Sequence, residues 1–160
     1  MELKGEQLLP VPQQAAWEAL NDTELLKSAI PGCESITPVA ADGENAAVPN
    51  TYDLVMVASV GPVKAKFKGK LELTDLDPPN AYTLRFEGNG GVAGFGKGSA
   101  SVKLVPVDAA STQLDYTANA SVGGKIAQVG SRLVDMAARK IADNFFEKFT
   151  ALLKQRSAAG

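Results

Sequence analysis

From residue 33 to residue 122 the chain alternates apolar and polar side chains, and on either side of that stretch apolar positions recur every three to four residues. A period of two belongs to a strand with one covered face, and a period near 3.6 to an amphipathic helix. The cleanest alternation runs over residues 63–73: Lys64, Lys66, Lys68, Lys70 and Glu72 take the even positions, and Val63, Ala65, Phe67, Gly69, Leu71 and Leu73 the odd ones. On the preceding strand Tyr52, Leu54, Met56 and Ala58 face the covered side, although Val55 and Val57 blur the outer face. Tyr82, Leu84 and Phe86 follow, then Ala100, Val102 and Leu104, then Leu114, Tyr116, Ala118, Ala120 and Val122. Turn signals at 41–45, at Gly61-Pro62, and at 77–80, 88–98 and 108–111 separate the strands. Connections so short predict an antiparallel meander with one covered face.

Residues 2–9 predict one further strand, ended by Pro10 and Pro12. Pro12 suits a first helical turn, where its missing N–H has no intrahelical partner to lose, and Ala15, Ala16, Trp17, Ala19 and Leu20 continue that helix. Asn21 or Asp22 caps a second short helix from Thr23 to about Ile30, which must stop at Pro31-Gly32. After Gly123-Gly124 one long helix is expected, through Ile126, Val129, Leu133, Ala137, Ile141, Phe145 and Leu152. The fold class is therefore α+β: a helix-grip domain over residues 1–156, with a curved antiparallel sheet wrapped around the last helix and two short helices after the first strand. Residues 157–160 form a fraying tail.

Composition narrows the function. The chain has 160 residues, 45% apolar and 21% charged, with 16 basic and 18 acidic side chains. A domain of this size buries about 70% of its unfolded surface and holds a core without disulfides or metal. The near-neutral balance argues against nucleic acid as a partner, since phosphate contacts need clustered Lys and Arg. There is no histidine, which removes the commonest metal ligand, the commonest general base and the His of any Ser or Cys triad. One cysteine and an N-terminus without an apolar signal core fit a reducing cytoplasm, and no apolar run approaches the length of a membrane span.

Several constellations resolve into bland readings. The glycines of 88–98 satisfy neither phosphate-loop pattern and precede a strand, which makes them a hairpin or a lip over a cavity. Cys33 has no histidine to activate it and reads as an inert thiol. Asp75 with Asp77, and Glu72 with Glu87, fall in a turn or on the wet face.

The telling pattern is a shortage of volume on the covered face, where Ala58, Ala65, Gly69, Gly88, Gly98, Ala100, Ala118 and Ala120 mix with larger side chains. Small residues there either let the helix approach closely or leave a cavity. A cavity would draw on Tyr52, Leu54 and Met56, on Phe67, on Tyr82, Leu84 and Phe86, and on Phe95, Ala100 and Val102. Tyr116, Ala118 and Ala120 would extend it, and Val129, Leu133 and Met136 of the long helix would roof it. With tyrosine hydroxyls and Gln7 as its few polar groups, it would take a lipid-like or quinone-like guest. Near the end of the chain, Phe146, Phe149, Leu153, Lys154 and Arg156 either pack on the first two helices or meet a membrane or partner.

Residues 19–22, Ile30-Pro31-Gly32-Cys33-Glu34, Val60-Gly61-Pro62-Val63 before Phe67-x-Gly69, and Gly123-Gly124-Lys125-Ile126 through Phe145-Phe146 together resemble the CoxG family of carbon monoxide dehydrogenase, within the START-like, Bet v 1-like superfamily. The resemblance implies a non-catalytic accessory protein of a molybdenum hydroxylase system, placed at the inner membrane face and holding a lipid or quinone without any intrinsic cofactor. Its partner would be a molybdenum-containing dehydrogenase. Two other classes compete with this reading: a cyclase or hydratase acting through Tyr52, Tyr82 or Tyr116, and an assembly factor that holds no ligand.

Overall fold

The computed structural model describes the backbone of residues 1–40 and 47–159, and the side chains of 1–39 and 50–156. Strand β1 (Glu2–Leu9) leads into helices α1 (Gln13–Leu20) and α2 (Thr23–Ala29). Six strands follow: β2 (Cys33–Ala40), β3 (Ala47–Val60), β4 (Val63–Asp77), β5 (Ala81–Asn89), β6 (Phe95–Asp108) and β7 (Ser111–Gly123). Helices α3 (Lys125–Gln128) and α4 (Ser131–Ala159) close the chain. The strands form one seven-stranded sheet in the order β1-β7-β6-β5-β4-β3-β2, antiparallel at every pairing. This is the α+β helix-grip architecture that the two periods predict. The turn expected at 41–45 lies outside the described residues.

Register puts the alternating side chains on one face. Leu54 pairs with Gly69, Leu71 with Phe86, Phe86 with Gly98, and Ala100 with Ala118. The glycine-rich segment 88–98 is mostly strand, with a single 3-10 turn at Gly91–Ala93.

Local chemistry sets the boundaries of the helices. The Asp22 carboxylate accepts the N–H groups of Glu24 at 3.0 Å and Leu25 at 3.2 Å, which satisfies two donors the first turn of α2 leaves free. Gly32, at φ 72°, ends the passage from α2 into β2, and a Cβ there would lie 2.1 Å from the Val57 carbonyl oxygen. The long helix expected after Gly124 is in fact two, because Gly130 adopts φ 103° and breaks the helical hydrogen bonding between α3 and α4.

The core sits at one end of the sheet. Leu9, Leu104 and Leu114 meet Ala16, Ala19 and Leu20 of α1, Leu25 and Ala29 of α2, and Phe149 and Leu153 of α4. Thr112, the one buried polar side chain among the described residues, donates its hydroxyl to the Val11 carbonyl at 2.9 Å. The Gln13 amide donates to the Asn80 side-chain oxygen and the Leu104 carbonyl, both at 3.0 Å, tying the start of α1 to the sheet.

This arrangement corrects the expected contact surface at the C-terminal end. Phe149 and Leu153 are 0% and 1% exposed and belong to the core, and Arg156 is paired with Asp22. Phe146 is half-buried and stacks on Tyr116, with ring centroids 5.2 Å apart. Of the five residues, only Lys154 is left as an exposed side chain outside the ion pairs of the described residues. The physical reason is the roll of α4: the α1–α2 pair takes the stripe through Phe145, Phe149 and Leu153 as its packing surface.

Candidate ligand-binding interior

Away from the core, the inner face of the sheet is covered but not closed. Helix α4 packs its C-terminal half on α2 and comes near the sheet at β1 and β3, and so spans the middle strands like a strap. Beneath it Tyr52, Leu54, Met56, Phe67, Leu84 and Phe86 are half-buried, as are Ala100, Tyr116, Ala118 and Ala120. None of the glycines at 69, 88 and 98 belongs to the core cluster. The core residues Leu9, Leu104 and Leu114 all lie near the end of the sheet where α1 begins.

Part of the small-residue pattern has a different meaning from the one expected. A Cβ on Gly98 would lie 2.7 Å from Phe86 Cζ, one on Gly90 would lie 2.6 Å from Phe67 Cε1, and one on Gly5 would lie 2.5 Å from Tyr116 Cε1. These glycines seat aromatic rings from neighbouring strands, which lie flat over the inner face. At Gly69 a Cβ would meet the Glu87 carbonyl oxygen at 2.1 Å, so the strands themselves draw together and the sheet bends. The small side chains at Ala100 and Ala118 face each other across β6 and β7 with no ring placed over them by these contacts.

The expected lining therefore divides. Tyr82 and Val102 are core residues; burial pushes the Tyr82 hydroxyl pKa up, and its ring meets Trp17 edge-on at 5.6 Å. Phe95 alternates outward and lays its ring over Gly123, remaining 50% exposed. Val129 and Leu133 are at the rim: Leu133 Cδ1 lies 3.1 Å from where a Cβ of Gly61, in the β3–β4 turn, would be. Met136 is 57% exposed on α4. On the other side of the rim, Ile126 of α3 is buried, with Cγ1 3.2 Å from the Cβ position of Gly94. The sequence stripe missed Ile126 as a latch and Val134 as a buried residue, although both are apolar positions of the expected helix.

Polar groups at the interior are few. Burial first, and then the Asp143 carboxylate, raise the Tyr116 hydroxyl pKa against the opposing charge of Arg139, so that this hydroxyl stays protonated at neutral pH. Gln7 is half-buried and shares with Phe146, Asp143, Glu147 and Lys154 a groove of about 490 Å³ between β1 and α4. A larger trough of about 740 Å³ lies on the opposite, outer face and is lined by Lys70, Glu72, Arg85, Glu87 and Lys97 with hydroxyl and amide side chains. Its polarity does not suit an apolar guest. Cys33 donates to the Ser35 carbonyl at 3.5 Å, and burial pushes its thiol pKa up, which suppresses the nucleophilic thiolate. Among the described residues no three His, Cys, Asp or Glu side chains gather as metal ligands, and no helix is long and apolar enough to cross a membrane.

A curved antiparallel sheet strapped by a C-terminal helix, with an apolar inner face, defines the START-like, Bet v 1-like class. Solved structures agree. A START superfamily protein from Mycobacterium smegmatis superposes with TM-score 0.70 at 13% identity, covering 96% of this chain and 97% of that one. The ZhuI aromatase/cyclase from Streptomyces sp. R1128 does so at 0.71 and 13%, over 100% and 98%. A conserved protein from Geobacillus kaustophilus reaches TM-score 0.86 at 29% identity, over 97% and 96% of the two chains. A comparison with curated proteins returns no match. The sequence model of the carbon monoxide dehydrogenase protein CoxG matches residues 5–154, and the chain belongs to that family.

Proposed function

We propose that this protein is a non-catalytic accessory protein of a molybdenum hydroxylase system and that it carries an apolar molecule, a quinone or a lipid, between its sheet and α4. The observation that carries the reading is the half-buried inner face. Leu54, Met56, Phe67, Leu84 and Phe86 keep apolar surface accessible beneath a helix, where close packing would bury it. Such surface gains roughly 25 cal/mol for each Å² it buries against a guest. The flat rings of Phe67, Phe86 and Tyr116 suit a planar quinone head or an acyl chain. Membership of the CoxG family supports a dehydrogenase as the protein partner and the cytoplasmic side of the membrane as the place of work.

Native mass spectrometry of the purified protein, before and after organic extraction, tests the carrier role. The expected result is an adduct that extraction removes, with the extract fragmenting as an isoprenoid quinone or a lipid. The variants Ala100→Phe and Ala118→Phe should lose it while remaining folded. An unliganded mass that stays unchanged when quinone is added back would overturn the carrier role and favour an assembly factor.

A further inference from the structure

The β3–β4 turn, the β5–β6 turn and the link from β7 through α3 into α4 all lie at one end of the sheet, around the rim of the interior. Four large apolar side chains stand out of these segments: Val92 at 88% exposure, with Phe95, Leu133 and Met136. The opposite end exposes apolar side chains too, at Leu76, Val105 and Val107, so apolarity alone does not separate the ends. Charge does. Lys64, Lys97, Lys125 and Arg132 are all exposed on the rim segments or within two residues of them. The far turns carry Asp75, Asp77 and Asp108 against Lys103. The carboxylates nearest the rim are Glu2, 3.6 Å from Lys4; Glu34, 3.0 Å from Lys66; Glu87, between Lys70 and Lys97 in the register; and Asp135. A chain with a net charge of −2 is thus polarised, with its basic end at the opening of the apolar interior.

We propose that the rim docks on an anionic lipid bilayer surface, with Val92, Phe95, Leu133 and Met136 entering the headgroup region and Lys64, Lys97, Lys125 and Arg132 meeting the lipid phosphates. Separate apolar tips on different turns, ringed by cations, fit a deformable lipid surface better than the continuous complementary face a protein partner requires. The proposal rests on the carrier reading for its purpose, since it sets the opening of the interior against the phase that supplies the guest. It replaces the C-terminal end of α4, whose apolar side chains are spent in the core.

Co-sedimentation with vesicles tests it independently of any ligand. The native chain should bind phosphatidylcholine vesicles containing phosphatidylglycerol far better than pure phosphatidylcholine, and added salt should release it. Each neutralised rim cation should weaken binding about fivefold, so Lys64→Gln, Lys125→Gln and Arg132→Gln together should weaken it roughly a hundredfold. Val92→Asp should weaken it as well, and Lys154→Gln should not. Native protein that ignores anionic vesicles, or a triple variant that binds like native, overturns the proposal. So does binding through the same cations to an acidic protein surface but not to vesicles. Because extraction reports on the guest and vesicles report on the rim, either reading can fail without the other.

Discussion

The ring of Tyr116 occupies the space that a side chain at Gly5 would fill. The two residues are paired across β1 and β7, a Cβ on Gly5 would come 2.5 Å from Tyr116 Cε1, and the ring is clamped from the other side by Phe146 at 5.2 Å. An edge strand, its neighbour and the strap helix thus meet at one tyrosine.

Gly5→Val should therefore destabilise the fold by about 1–3 kcal/mol, since Phe146 leaves the ring little room to move. Tyr116→Ala should relieve most of that cost. Thermal or denaturant melts of the two single variants and the double variant measure the coupling; simple additivity would show that the ring moves aside freely.

Asp22 holds two structures at once, capping α2 and binding Arg156 from the end of α4. The Arg156 hydrogen bond, followed by the backbone donors, lowers the Asp22 pKa from 3.8 against the opposing effect of burial. A carboxylate with a depressed folded pKa stabilises above its unfolded pKa, and that contribution is lost as pH falls through the lower folded value. Asp22→Ala should cost about 1 kcal/mol near neutral pH, and the difference from native should shrink in acid. Arg156→Ala should raise the Asp22 pKa, which an NMR titration reads directly.

Phe149→Ala should be among the most damaging single changes, at about 3–5 kcal/mol, because the ring is fully buried between α4, α1, α2 and the sheet. Calorimetry would register it as a Tm lower by roughly 10 °C. A mild effect would mean that α4 is held elsewhere.

Thr112→Val keeps the shape of a 0% exposed side chain but removes the donor to the Val11 carbonyl. The carbonyl is left without that partner beside the core, and the expected loss is about 1–3 kcal/mol in a urea titration with unchanged slope. A neutral result would mean that another donor reaches Val11.

Ala100→Phe and Ala118→Phe separate the interior from the core. Both sites are half-buried and paired with each other across β6 and β7. A Tm close to native, with loss of the extractable adduct, is the outcome expected of space that a guest uses. A severe loss of stability would show that the alanines are already packed.

The strands were legible because one covered face imposes a period of two that no helix reproduces: residues 63–73 announce their pairing partners almost position by position. The break at Gly130 was harder to see, since apolar spacing continues through Val129 and Leu133 and only the left-handed backbone interrupts it. The interior was half legible. Alternation named its inward residues, but it had no way to tell Tyr82 and Val102, in the core, from Leu84 and Ala100 on the same face. Those pairs differ only in distance from α1, which is a property of the assembled sheet.

The sequence by itself determined the two periods, the turns, the absence of histidine and hence the kind of chemistry this chain can perform, because these depend on residue type and spacing along one strand or helix. Only the tertiary structure decided which end of the sheet is filled, which glycines seat rings, and that the basic residues gather at the rim while the apolar end of α4 is buried. Each of these depends on where strands distant in sequence come together and on the roll of one helix against two others. One-dimensional spacing leaves both open, and close packing then settles them.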